Sequence, residues 1–467
     1  MPGVTAGNRD FLSLVQLKLP VAVVVVVFNR GSARSRAAPG RAVAKWSSPR
    51  SRGYDRDGGG SLHISKAIIG GRTDELLDPG GTMRPRCSLE RAKLSNDETH
   101  QGRTMKIAGK HYRTIWVTES GTVRVIDQSR LPFEFATSDL ETFADAARAI
   151  KTMVVRGAPL IGATAAYGVA LAARADPSDS HLAEATRDLQ ATRPTAINLV
   201  WALTRMRKVL AEVLPRERAD VAFREAAAIC DADVEQCRSI GAHGLEIVRG
   251  LAESAGRTLN ILTHCNAGWL ACVDWGTALA PLYMAHDAGI PVHVWVDETR
   301  PRNQGAALTA FELGAHGVPH TVIADNLGGH LMQRAQVDMV IVGSDRTTAG
   351  GDVCNKVGTY LKALAAKDNA VPFYAALPVS TIDWSIHAGS AVPIEERSAE
   401  EVTHISGRSS SGRIETVRLV PERSPALNLA FDVTPARLVT GLITERGVCS
   451  ASRAGLQRLY PDARAAE

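Results

Sequence analysis

Short β-branched runs recur at 259–263, 292–296, 321–324, 339–342 and 373–377, and helical patterns at 276–288, 304–313, 329–336 and 355–367 fill the gaps. No other feature of the chain restricts its fold as tightly. Strands and helices alternating at this spacing wind into right-handed βαβ units, whose parallel sheet has to be covered on both faces. The pattern predicts an α/β protein with a Rossmann-like, mostly parallel sheet. Two of the runs break abruptly into small and polar residues, Ile261-Leu-Thr-His-Cys-Asn-Ala-Gly268 and Met339-Val-Ile-Val-Gly-Ser-Asp-Arg-Thr-Thr-Ala-Gly-Gly351. In such a fold the break marks the carboxyl end of a strand, where ligands bind. Cys265 and Asp345 are therefore expected to face one crevice, as in an enzyme acting on a small polar substrate.

Upstream, the period is helical at 140–153, 162–174, 197–214 and 220–248, after a strand-like stretch at 106–127. This predicts a small N-terminal α+β domain over 105–240, ahead of a Rossmann-like catalytic domain over 241–467. In the tail, Thr434-Pro435 reads as a helix start and Gly447 as its end.

Residues 1–104 differ from the rest. They hold 17 Lys and Arg against 9 Asp and Glu, whereas the remainder holds 37 against 40, so the net charge of +5 originates at the front. The main body is slightly acidic and has no basic stripe with interleaved aromatics, which argues against nucleic-acid binding. The front is rich in Arg, Gly, Ser and Pro without sustained periodicity, the composition of a segment that builds no core. Its apolar stretch at 19–28 is ten residues long and contains Pro20, against the ~20 residues that span a membrane. A secretory signal has this outline too, but a globular pattern resumes only some eighty residues later. Residues 1–104 thus read as a disordered or mis-annotated extension, with the functional start at Met105.

The seven cysteines form no Cys-x-x-Cys pair, and no His cluster has zinc spacing. An odd count without a framework suits a reducing cytoplasm. No Gly-x-Gly-x-x-Gly follows the first strand and no phosphate-loop signature occurs, which argues against nicotinamide and ATP.

A thiol at a strand end is most often packing, but polar His264 and Asn266 and small Ala267-Gly268 leave Cys265 accessible. Cys272, in an apolar stretch, reads as structural. Asp345 is either a partner for Arg346 or an acid/base group whose pKa is raised by apolar surroundings. Asp352 is either a competitor for that role or a helix N-cap. Arg156-Gly157-Ala158-Pro159 combines a guanidinium, free N–H groups and a helix start, the constituents of an anion site. Arg193 precedes Pro194 and another helix start, and Asn355-Lys356 opens a third. Three such starts favour a phosphorylated substrate. Gln304 is placed to bond sugar hydroxyls, while Arg300 and Arg302 serve either there or as partners of Asp297 and Glu298.

Arg156-Gly-Ala-Pro-Leu-Ile-Gly-Ala-Thr-Ala-Ala-Tyr-Gly168, Thr263-His-Cys-Asn-Ala-Gly268, Glu298-Thr-Arg-Pro-Arg-Asn-Gln-Gly305, Gly343-Ser-Asp-Arg346, Gly351-Asp-Val-Cys-Asn-Lys-Val-Gly358 and Pro393-Ile-Glu-Glu-Arg397 occur in order. Together they resemble the S-methyl-5-thioribose-1-phosphate isomerases of methionine salvage. The resemblance implies conversion of an aldose 1-phosphate into a ketose 1-phosphate by a cytoplasmic homodimer without metal or cofactor. It implies Asp345 as proton donor and Cys265 as transition-state stabiliser. Arg156, Gly157, Ala158, Arg193, Gln304, Asn355 and Lys356 stand at its substrate-binding positions. Exchange-factor regulatory subunits and ribose-1,5-bisphosphate isomerase share the fold. A scaffold has no need of the thiol–carboxyl pair, and a bisphosphate isomerase needs a second anion site. A methylthio group needs an apolar wall, for which Trp269, Leu270 and Trp275 are candidates unless they pack a helix on the sheet.

Overall fold

The computed structural model describes residues 106–462; the expectations for 1–104 lie outside them. A short antiparallel pair, β1 (Lys106–Ile107) and β2 (Lys110–His111), precedes a three-stranded antiparallel sheet of β3 (Ile115–Val117), β4 (Val123–Ile126) and β5 (Thr137–Leu140). Five helices follow: α1 (Phe143–Lys151), α2 (Ala158–Ala175), α3 (Asp179–Thr192), α4 (Ile197–Ala211) and α5 (Arg218–Ala255). A capping box between Thr142 and Asp145 starts α1, and Ser178 caps α3, a helix the apolar pattern does not announce.

Helix α2 is small and apolar all round, and every residue from 160 to 173 is buried. Its side chains let α1, α4 and α5 close on it from several sides. It is the one described helix long and apolar enough to cross a membrane, and it is the core of this helical layer. Helix α5 runs 38 residues without a break. Its first half packs on α2 and α4, and its second half on α6 (Ala280–Asp287) and the parallel sheet. The boundary expected at 240 therefore falls inside a continuous helix shared by both halves.

The large sheet contains β6 (Leu259–Thr263), β7 (Val292–Asp297), β8 (His320–Ile323), β9 (Met339–Val342), β12 (Phe373–Ala376), β17 (Gly441–Thr444) and β18 (Gly447–Cys449). Between them in the chain lie α6 (Ala280–Asp287), α7 (Ala310–His316), α8 (Leu327–Gln333) and α9 (Thr359–Asp368), and α11 (Arg453–Leu459) follows β18. The strand order is β18-β17-β12-β9-β6-β7-β8, parallel throughout except at β17/β18. Alternate residues feed two cores, as the two-residue strand period requires. Ile261, Val294 and Ile341 meet α5, α6 and α7, whereas Leu262, Val340 and Phe373 meet α8, α9 and α11. The mostly parallel sheet with helices on both faces is thus present.

A smaller four-stranded sheet, in the order β13-β10-β11-β16, is built from β10 (Arg346–Thr348), β11 (Val353–Lys356), β13 (Ile382–Asp383) and β16 (Phe431–Thr434). The short helix α10 (Glu400–Thr403) leads into a hairpin of β14 (His404–Arg408) and β15 (Ile414–Arg418). The structure corrects the expected tail helix: the segment holds β16, one 3₁₀ turn at Ala436–Leu438, β17 and β18. All four residues of β17 are buried, and its backbone groups pair with β12 and β18; a parallel partner across the core outweighs the local helix-start signal.

Candidate active site

After β6 the chain lays β7 and β8 to one side, then crosses back to place β9 on the other flank of β6. The point where strand order reverses is where an open α/β sheet leaves a crevice beyond its strand ends. Cys265 leaves β6 and Asp345 leaves β9 at this crevice. Together they line a narrow cavity of about 50 Å³, with Arg156, Gly157, Ala158, Arg193, Gln304 and Lys356. Of the residues expected at the site, only Asn355 does not line it. Successive strand residues point to opposite faces: Lys356 of β11 faces the cavity, and the Asn355 amide donates to Thr359 Oγ1 at 3.0 Å. Asn355 and Lys356 end a strand rather than open a helix, since α9 begins at Thr359.

The Asp345 carboxyl accepts no side-chain hydrogen bond among the described residues. Arg346 turns away, donating to Asp383 Oδ2 at 2.7 Å and to the Thr195 carbonyl at 2.5 Å. Burial pushes the Asp345 pKa up, opposed by the charges of Lys356, Arg156 and Arg193. Burial also raises the Cys265 thiol, opposed by Arg156 and Lys356. The Lys356 ammonium is lowered by burial and supported by Cys265 and Asp345. It donates to the Ala430 carbonyl at 2.8 Å and lies 4.5 Å from the centre of the Phe431 ring. The site thus sets two groups whose burial favours the protonated form among clustered positive charges.

That charge is held in place from behind. Arg156 donates to the side chain and the carbonyl of Asn266. Asn266 in turn donates to Glu312 at 2.9 Å, which also accepts from the Trp269 and Leu270 N–H groups and the Tyr283 hydroxyl. Gly157 has φ 97°, and a Cβ there would lie 2.4 Å from the Ala271 backbone; only glycine lets α2 start this close to the thiol loop. Arg193 binds Glu395 at 3.1 Å. Its Nε and the Oε1 of Gln304 are buried without a protein partner, and both residues line the cavity. Buried polar atoms are rarely left unpaired, which makes these two candidate positions for ligand atoms.

Several contributors were not singled out by the sequence reading. Met153, Ile161, Val392 and Phe431 supply apolar wall, and Arg397 adds another cation. Phe431 and Arg397 both arrive from distant segments; Arg397 ends the Pro393-Ile-Glu-Glu-Arg397 motif, though no site role was assigned to it, whereas no local pattern distinguishes Phe431. Trp269, Leu270 and Trp275 belong to the buried core instead of the cavity. Asp352 starts no helix of its own; its carboxylate accepts the Gly389 and Ala436 N–H groups, at the first residues of two distant 3₁₀ turns. Arg300 and Arg302 bind the Val402 carbonyl and Glu401 respectively, not Asp297 or Glu298. An outer groove of about 1250 Å³ between the β14–β15 hairpin and the 128–134 segment shares Met153, Arg156 and Gln304 with the cavity.

Two sets of side chains among the described residues bring metal-ligating atoms within 4.8 Å of one another: His264, Asp297 and Asp325, and Asp233, Cys237 and Cys272. In the first, the Lys362 ammonium already contacts Asp297 at 3.0 Å, next to His264 Nδ1 at 3.0 Å. In the second, Asp233 accepts the Val273 N–H at 2.7 Å and the Cys237 thiol.

A parallel sheet with a thiol, a carboxyl and clustered guanidinium groups at its switch point defines an enzyme for a small anion. The initiation factor 2 subunit family matches residues 154–451. The methylthioribose-1-phosphate isomerase of Methylorubrum populi is 66% identical over 364 residues, 78% of this chain and 100% of that one. That of Rhodospirillum rubrum is 64% identical over 366 residues, 77% of this chain and 94% of that one. Among solved structures, 5-methylthioribose 1-phosphate isomerase from Pyrococcus horikoshii OT3 aligns with TM-score 0.66 at 39% identity, covering 76% of this chain and 97% of that one. The translation initiation factor eIF-2B subunit delta from A. fulgidus aligns with TM-score 0.62 at 38% identity, covering 75% and 99%. The chain belongs to the initiation factor 2 subunit family and, within it, to the methylthioribose-1-phosphate isomerases, which are aldose-ketose isomerases.

Proposed function

We propose that the protein converts 5-methylthioribose 1-phosphate into 5-methylthioribulose 1-phosphate in methionine salvage, with Cys265 and Asp345 as the reacting side chains. The observation that carries this reading is the meeting of these two groups across the switch point, inside a cavity that also collects Arg156, Arg193 and Lys356. The cations and the N-terminus of α2 accept the 1-phosphate, since N–H groups and guanidinium both favour an anion there. Gln304 and Arg193 take sugar oxygens with their unpaired atoms. Met153, Ile161, Val392 and Phe431 form the apolar wall that a methylthio group needs and a second phosphate does not, which favours this substrate over ribose 1,5-bisphosphate.

The order of steps follows from the bonding of the substrate. The anomeric oxygen carries phosphate, so a free aldehyde does not form simply by ring opening. Asp345, whose burial favours the protonated form, delivers a proton to the ring oxygen as its bond to C1 breaks. Hydrogen then passes from C2 to C1 and the C2 hydroxyl proton is lost. C2 is oxidised and C1 reduced within one molecule, so the reaction needs no external oxidant or reductant. Cys265, beside Arg156 and Lys356, stabilises the charge that develops. The protein is further proposed to act as a cytoplasmic homodimer without a metal.

A phosphorus and proton NMR time course with 5-methylthioribose 1-phosphate tests the reading. Loss of the anomeric phosphate signal with growth of a ketose 1-phosphate is expected; an unchanged spectrum with folded protein overturns it.

A further inference from the structure

Cys265 and Thr299 stand at equivalent places, the second residue beyond β6 and the second beyond β7. Both have left-handed backbones, with φ 69° and 65°, a region that side chains other than glycine rarely occupy. The two are bonded to each other. The Cys265 N–H donates to Thr299 Oγ1 at 2.9 Å, and that hydroxyl donates to the Asp297 carbonyl at 2.9 Å. The Thr299 N–H is taken by Asp325 Oδ1 at 2.6 Å. On the other side, Thr309 donates its hydroxyl to the Cys265 carbonyl at 2.8 Å and accepts from Asn266 Nδ2 at 3.2 Å.

Both backbone polar groups of Cys265 therefore end on threonine hydroxyls, and both threonines are fully buried. Thr309 closes a π-helical turn, Gly305–Thr309, that begins just after Gln304. Such turns insert an extra residue and appear frequently at functional sites. This one delivers Gln304 to the cavity at one end and the Thr309 hydroxyl to Cys265 at the other. Through Asn266, Thr309 is also one bond from the side chain that holds Arg156.

We propose that Thr299 and Thr309 are positioning residues for the isomerisation, clamping Cys265 in its left-handed conformation so that the thiol faces Asp345 across the cavity. Relaxation of Cys265 to a negative φ swings its Cα–Cβ bond away from that wall. A network of Asp325, Thr299, Cys265, Thr309 and Asn266 holds strained backbone where it is needed, as strain at a functional residue requires. The inference rests on the reading that Cys265 takes part in the reaction.

The test is steady-state kinetics of the full chain with 5-methylthioribose 1-phosphate, comparing wild type, Cys265→Ala, and the valine and serine variants of Thr299 and Thr309. Valine keeps the shape and removes the hydroxyl, while serine keeps the hydroxyl. All are assayed where circular dichroism shows them folded, and alanine replaces any valine variant that does not fold. Thr299→Val and Thr309→Val are expected to lose on the order of 10–100-fold in kcat with KM little changed, since small misplacements of reacting groups cost this much. Serine variants are expected to recover most of that loss. Valine variants with wild-type kcat beside an inactive Cys265→Ala overturn the clamp. So does a change confined to KM, or a loss that serine does not restore. An active Cys265→Ala, or an inactive wild type, instead overturns the reading of the reaction itself.

Discussion

Ile261 of β6 and Met339 of β9 are register partners on neighbouring parallel strands, and this pairing brings the thiol four residues beyond one and the carboxyl six residues beyond the other to the same edge. The 79 residues between Cys265 and Asp345 build β7, β8 and the helices α6, α7 and α8 before returning in β9. Both residues thus stand within three residues of the end of a parallel strand.

Cys265→Ala and Asp345→Asn are each expected to reduce kcat by about 10²–10⁴-fold, the range for removal of an acid/base or charge-stabilising group. Equilibrium dialysis should show substrate still bound. Turnover near wild type in either variant removes that residue from the mechanism.

As the proposed proton donor Asp345 reacts in its protonated form, so kcat/KM should fall as pH rises through its pKa, which burial raises. The positive charge of Lys356 opposes that raise. Lys356→Met should therefore raise the Asp345 pKa further and move the alkaline limb to higher pH. It should also weaken phosphate binding by roughly 10–100-fold, the worth of a charged hydrogen bond. A limb that moves to lower pH contradicts the assignment.

Gly157→Ala combines an unfavourable φ with a Cβ 2.4 Å from the Ala271 backbone. Strain and overpacking together should cost about 2–4 kcal/mol in stability and displace the α2 N-terminus from the phosphate. Urea denaturation beside KM measurement reads both, and an unchanged midpoint defeats the expectation.

The Asp233 carboxyl, buried under the thiol loop, is pushed up to about 7 by desolvation. The folded state holds a proton there that the unfolded chain releases near pH 4. Its contribution to stability is therefore fully present at low pH and is lost as pH rises from about 4 to 7, an effect on the order of 1–4 kcal/mol. Asp233→Asn should flatten this part of the stability profile, measured by denaturant melts across the window. An Asn variant with the same slope as wild type shows that another group is responsible.

Much of this site was legible in the sequence because it depends on local rules. The apolar runs located five of the six parallel strands to within a residue or two. The abrupt breaks after Thr263 and Val342 marked strand ends, and Arg156-Gly157-Ala158-Pro159 marked a helix start able to hold an anion. β17 was read as helix because Thr434-Pro435 is a start signal by itself, and only the partner strand β12 overrides it.

What the sequence by itself determined, then, was the parallel α/β sheet and the two residue types at its strand ends, since strand period and turn chemistry are properties of neighbouring residues. Tertiary structure alone decided that β6 lies beside β9. It decided too that Lys356 rather than Asn355 faces the cavity, and that Arg346 leaves Asp345 for Asp383. Phe431 and Arg397 join from far along the chain, while Thr299 and Thr309 hold Cys265 in a backbone conformation its own neighbours do not favour. Each of these depends on which distant segments share a core, and burial sets that across the whole chain.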